Sequence, residues 1–267
     1  VALLSALALA AACEATGASP VAGPTSSSTT APPTSTTGAD DGGPRVLFAG
    51  DSLMEEVHAA TAAALGDSAE TRFLLSPRLI RDDGQRIIWQ HVLDDFRPDV
   101  VVVIFSHWER LVTGAQTAAD FDRIGVQSYA DTLARPFADF VNRNGAALVW
   151  LSAPPSRDGR VSQVHTVMNQ AYRAATAAAD AHFIELDPVL TDRNGAYAEL
   201  LTNPFGVVER VRNTDGFHLC PGGAVRVAEA VLAPLAEVAA VAADPSWANG
   251  PWRTDPPFDQ PDECPAV

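Results

Sequence analysis

The sequence predicts an α/β fold built on a parallel sheet of about five strands with helices on both faces. Three observations predict it. The strand candidates are continuous apolar runs rather than alternating ones, as expected for strands buried on both sides. Segments of helical period separate them. The 267 residues, 47% of them hydrophobic, suit one such domain with tails better than two full domains.

Taken in order, residues 46–49 read as a short buried strand, followed by an amphipathic helix over 54–65. A second strand is expected at 71–75 and a helix at 85–96. The strongest strand is 99–105, an unbroken run of Val and Ile ahead of Phe105. A long helical stretch covers 118–143, interrupted or bent near Pro136. Residues 146–151 form a fourth strand closed by Ala153-Pro154-Pro155, then come a helix at 164–179, a fifth strand at 182–186 and a last helix at 223–240. In such sheets ligands bind at the carboxyl ends of the strands. The folded domain is therefore placed at 44–243. The tail, 244–267, has no period; Trp247, Trp252 and Phe258 either pin it to the surface or form a stacking platform for sugar rings.

The N-terminal part reads differently. Residues 1–13 are almost purely Ala, Leu and Val up to Cys13, too short a run to span a bilayer but suited to a secretion signal. With Ala10-Ala11-Ala12 before it, Cys13 resembles the lipidated cysteine of bacterial lipoprotein signals. Two features depart from that pattern: no Arg or Lys precedes the run, and the usual Leu stands one place early, at Leu9. A plain cleaved secretion signal is the alternative. Either reading places the protein outside the cytoplasm, lipid-anchored to the membrane or secreted. Residues 14–43 collapse to Ser, Thr, Pro, Ala and Gly, a disordered linker whose end-to-end distance is roughly 30 Å.

Charge narrows the partners. The formal net charge is -15, with 33 acidic against 18 basic residues, which disfavours broad contact with nucleic acid phosphates. His58, His91, His165 and His182 show no metal-ligand spacing, and neither a metal nor a cofactor is expected.

Chemistry concentrates in two stretches. Gly50-Asp51-Ser52-Leu53 follows the first strand, where a serine on a strand-to-helix turn is exposed beside free helix N–H groups. The same residues serve equally as a helix cap. Asn213-Thr214-Asp215-Gly216-Phe217-His218 lies before the last helix, and there a single turn can bring the Asp215 carboxylate to the His218 ring. Alone, that pair also reads as a turn former and a surface histidine.

Together the two stretches resemble the SGNH, or GDSL-type, hydrolase superfamily over about residues 45–235. The resemblance implies a flavodoxin-like three-layer sandwich, with Ser52 as nucleophile, His218 as general base and then acid, and Asp215 as the orienting carboxylate. It departs from the family after the third strand. The usual Asn is missing, and Ser106-His107-Trp108-Glu109-Arg110 stands there instead. That block is similar to SGNH-like domains associated with cell-envelope sugar O-acyltransferases. For the oxyanion hole, the backbone N–H of Ser52 is the first donor, Ser106 the candidate second, and Gly84 the candidate for the family's second-block glycine. His107 either replaces the missing Asn or is a packed or solvent-facing loop histidine. Trp108 either lines an acyl or sugar pocket or belongs to the core.

If Cys13 is lipidated or removed, Cys220 and Cys264 remain, and an oxidising compartment would pair them. The expected activity is that of a serine esterase releasing a small acyl group, such as acetyl, from a cell-envelope or extracellular glycan through an acyl-Ser52 intermediate. An O-acyltransferase using the same triad is the alternative, and a catalytically idle glycan-binding domain is the rival of another class.

Overall fold

In the computed structural model, the described residues are 43–267 apart from Pro77, Ala242, Asp244 and Pro245. The signal-like segment, Cys13 and the linker up to residue 42 lie outside them.

A parallel sheet runs through the middle, in the order β2-β1-β3-β4-β5, from β1 (Arg45–Gly50), β2 (Glu70–Leu75), β3 (Val100–Ile104), β4 (Ala147–Leu151) and β5 (His182–Ile184). This is the flavodoxin-like order expected, with the first crossover reversing direction between β1 and β3. Successive side chains of each strand go to opposite faces. Leu47, Ala49, Val101, Val103, Leu148 and Trp150 meet α2 (Asp83–Phe96), α6 (Arg135–Arg143) and α7 (Gly159–Ala178). Val46, Phe48, Val100, Val102, Val149 and Leu151 meet α1 (Ser52–Leu65), α8 (Asp187–Leu190) and α9 (Pro221–Val238). The central strand β3 is buried at all five positions, which is why its sequence carries no alternation.

Several helices begin where a side chain takes up a free N–H group. Asp82 accepts from Gln85 N at 2.9 Å ahead of α2, and Asp158 accepts from Arg160 N at 2.9 Å ahead of α7. The stretch expected as one helix over 118–143 is divided. Gly125, at φ +84°, ends α4 (Ala118–Ile124), and α5 (Val126–Tyr129) leads into a π-helical turn, Ala130–Ala134, before α6. Pro136 has no N–H to donate, and the π turn just ahead of it accommodates that gap. Three short features have no sequence expectation: α3 (His107–Thr113), α8, and the antiparallel pair β6 (Leu200–Thr202) and β7 (Val208–Arg210). Each is too short to display a period.

The C-terminal tail is pinned, not presented. Trp247, Trp252 and Phe258 are buried against Ala60 and Ala64 of α1 and Ala224 and Ala228 of α9. The small alanines leave the space that the aromatic rings fill. Among the described residues, no helix is long and apolar enough to cross a membrane.

Two predictions follow from this packing. A Cβ at Gly50 would stand 2.3 Å from the Ile104 carbonyl oxygen and 2.9 Å from Met54 Cβ. Gly50→Ala is therefore expected to lower stability by about 1–3 kcal/mol in denaturant titration. His58 lies between the Phe48 and Phe73 rings, 5.2 and 5.8 Å between centroids, and burial pushes it down to about 4. It is neutral when folded, so unfolding takes up a proton below its ordinary 6.5 and stability is lost as pH falls from there to about 4. His58→Phe is expected to gain on the order of 3 kcal/mol over wild type across that window, read from paired pH–stability curves.

Candidate active site

Ser52 opens α1 directly beyond the end of β1, and the residue before it holds the turn. Asp51 Oδ1 accepts from Leu53 N at 3.2 Å, so Asp51 caps the helix and leaves the Ser52 hydroxyl free for other work. Asp51 Oδ2 reaches the neighbouring strand end, accepting from Ser106 N at 3.2 Å and from the Ser106 hydroxyl. Burial pushes the Asp51 carboxyl up to about 6, and these hydrogen bonds offset only part of that cost.

The Ser52 hydroxyl lies 2.6 Å from His218 Nε2, and His218 Nδ1 lies 2.5 Å from Asp215 Oδ2. An ionised Asp215 can only accept, so Nδ1 carries the proton and Nε2 is left to accept from the serine. The other Asp215 oxygen accepts from Phe217 N at 2.8 Å and His218 N at 3.0 Å. Partial burial of Asp215 works against ionisation, but hydrogen bonds from His218 and from these two N–H groups prevail and hold the carboxyl below its usual range.

The loop carrying Asp215 and His218 is gripped by several elements. Arg157 N donates to Gly216 O at 2.9 Å, and Arg157 Nη2 to Thr214 O at 2.7 Å. Gly216 sits at φ +79°, and a Cβ there would meet Arg157 Cβ at 2.6 Å, so glycine is needed on both counts. The buried Arg212 donates to Phe217 O at 2.8 Å and to Pro155 O at 3.0 Å. From the tail, Glu263 accepts Thr214 N on its carbonyl at 2.9 Å and Asn213 Nδ2 on its carboxylate at 2.7 Å. The Cys220–Cys264 disulfide, S–S 2.04 Å, fastens the tail beside these contacts.

A cavity of about 320 Å³ opens at the serine. It is bordered by Ser52, Glu55, Glu56 and His218, with Pro257 and Glu263 contributed by the tail. The other residues singled out from the sequence lie apart from it. Both Ser106 donors are spent on Asp51, so the expectation that Ser106 supplies a second oxyanion donor is corrected. Gly84 lies exposed in the first turn of α2, outside the cavity lining, and is not placed as an oxyanion glycine. His107 is one ring removed from His218: its ring centroid is 5.4 Å from that of Phe217, which is 5.3 Å from that of His218. Trp108 is 52% exposed at the start of α3, hence not core. The tail's part in the cavity and the grips of Arg157 and Glu263, like that of Arg212 on Pro155, escaped the sequence reading, because each joins residues far apart in the chain. Among the described residues, no group of three or more His, Cys, Asp or Glu side chains is placed to hold a metal ion.

A flavodoxin-ordered parallel sheet, a serine beyond β1 and an Asp-x-x-His loop before the last helix define an SGNH, or GDSL-type, hydrolase domain. Within that class, the chain belongs to the family described as "Protein of unknown function (DUF459)", whose model matches residues 45–234. Similar solved structures include LAE5, an alpha/beta hydrolase enzyme from the metagenome of Lake Arreo, Spain. It is 16% identical, with 74% of this chain and 97% of that one covered and a TM-score of 0.53. An acetylxylan esterase from Geobacillus stearothermophilus is 12% identical over 74% of this chain and 94% of its own, with a TM-score of 0.49. A GDSL-like lipase from Bacteroides thetaiotaomicron is 15% identical over 72% and 88%, with a TM-score of 0.46. Comparison with curated proteins finds no match.

The disulfide closes a loop of 44 residues in sequence separation, worth about 4 kcal/mol in the chain-entropy picture. Cys264→Ser is expected to lower stability by up to that amount and to speed hydrogen exchange at the Thr214 amide, which Glu263 now protects.

Proposed function

We propose that the protein is an extracytoplasmic serine esterase, held at the membrane by lipid on Cys13 or secreted, that removes a small acyl group from a glycan. The observation that carries the chemistry is the unbroken chain from Ser52 Oγ through His218 to Asp215 at the edge of a cavity. The linker and signal-like segment support the location, and the polar, acidic cavity lining suits a hydroxyl-rich alcohol better than a long apolar chain.

In this reading, Ser52 Oγ attacks the ester carbonyl while His218 Nε2 takes its proton. Asp215 keeps the ring in the accepting tautomer and balances the charge that His218 gains. The tetrahedral oxyanion forms beside the Ser52 N–H, one of the first-turn N–H groups that an α-helix leaves without an intrahelical acceptor. His218 then returns the proton to the leaving alcohol, giving an acyl-serine. Water repeats the sequence in reverse order, deprotonated by His218, and releases the acid and free Ser52.

Wild type is expected to turn over p-nitrophenyl acetate and to gain the mass of a serine-directed organophosphonate at Ser52. Ser52→Ala is expected to lose the label and at least about 10³-fold in kcat. Absence of Ser52-dependent turnover and label would overturn the esterase reading in favour of an idle binding domain. Acylated sugar appearing on added oligosaccharides, in place of free acid, would point to a transferase.

A further inference from the structure

Glu56 stands four residues after Ser52 on α1, so the two side chains emerge from the same face, one turn apart. It is buried, 6% exposed, yet it is neither a core packing residue nor part of a salt bridge among the described residues. Its Oε2 accepts from the backbone N–H of Leu219 at 2.7 Å. Leu219 directly follows His218. A carboxyl group removed from water needs such a partner, and Glu56 takes one from the residue next to the general base of the proposed reaction. Arg212 acts from the other side, holding Phe217 O at 2.8 Å. His218 is thereby suspended between two buried side chains that grip the peptide groups on either side of it. One of the two rides on the helix that carries the nucleophile.

We infer that Glu56 is a positioning residue that sets the distance between Ser52 and His218, by tying the loop of the base to the helix of the nucleophile one turn beyond the serine. The inference rests on the esterase reading above. The hydrogen bond crosses 163 positions of sequence separation, and whereas Arg157 and Glu263 also reach the loop from afar, Glu56 reaches it from the helix of the nucleophile. Without it, the Leu219 N–H is buried without an acceptor, and the loop would have to move to find one. The Ser52 Oγ to His218 Nε2 distance of 2.6 Å is the quantity such a movement spoils. A shift of about 1 Å at a proton-transfer pair can cost around 10²-fold in rate. Burial also pushes the Glu56 carboxyl well above its ordinary value, with the Leu219 hydrogen bond opposing. Glutamine, neutral and still able to accept through its amide oxygen, is therefore the conservative replacement.

Three variants test this. Glu56→Gln keeps an acceptor, Glu56→Met keeps the volume without one, and Glu56→Ala removes both. With p-nitrophenyl acetate, Met and Ala are expected to lower kcat by about 10- to 100-fold with KM within about twofold, and Gln to stay within about threefold of wild type. The second-order rate of organophosphonate labelling at Ser52 should fall in parallel, since it reads the serine's activation without a natural substrate. Thermal melts identify any variant that fails to fold, and the Met variant, which leaves no cavity, carries the test if Ala unfolds. Wild type that labels at Ser52, together with Met and Ala variants that label as fast, would overturn the inference alone. Equal losses in Gln, Met and Ala would also overturn it, by showing that the acceptor is not what matters. Wild type that does not label would overturn the esterase reading and this inference with it.

Discussion

The site depends first on how closely β1 and β3 can approach at their carboxyl ends. Gly50 faces Ile104 with no room for a side chain between its Cα and the opposing carbonyl. The turn into α1 is made inside that contact, and the Asp51 carboxylate then spans the gap to Ser106. Placing a carboxylate there is costly, as its raised pKa indicates. The return is rigidity: one buried group fixes the helix start, the serine's approach and the neighbouring strand end. Ser52 owes its direction to a residue that never meets the reacting atoms.

The base is held by a different logic. No strand or helix contains Asp215 or His218; their loop lies between the isolated bridge partner Arg212 and α9. Its order comes from polar groups delivered by other parts of the chain. Arg157 precedes α7, Glu56 lies on α1, and Glu263 belongs to the tail. A loop satisfied from so many sides behaves as part of the scaffold, so the imidazole can keep one orientation while its charge changes.

Much of this was legible in the sequence. Buried strands of unbroken Val and Ile and the two blocks around Ser52 and His218 carry strong local signals, and the sheet, its order and the triad's juxtaposition match them. What escaped is of two kinds. Short elements such as α3, and the subdivision of residues 118–143, fall below the length at which a period shows, although Gly125 marks one of the breaks. Long-range polar contacts leave no local trace. Ser106 illustrates this: its position beyond β3 makes it a natural oxyanion donor, but the partner that claims it, Asp51, lies 55 residues away. Cys220 and Cys264 were legible because only two cysteines remain beyond the signal-like segment.

The tail described above stands outside the residues that the family model matches, 45–234, yet it supplies Pro257 and Glu263 to the cavity. The family match and the cavity lining therefore have different boundaries. A recombinant fragment trimmed to the family limits would carry every residue of the triad and still lack one side of its own entrance. Removing this segment would also take away Glu263 and Cys264, which hold the loop that carries Asp215 and His218. The cavity's entrance and the loop of the base thus share one support, which lies beyond the family limits.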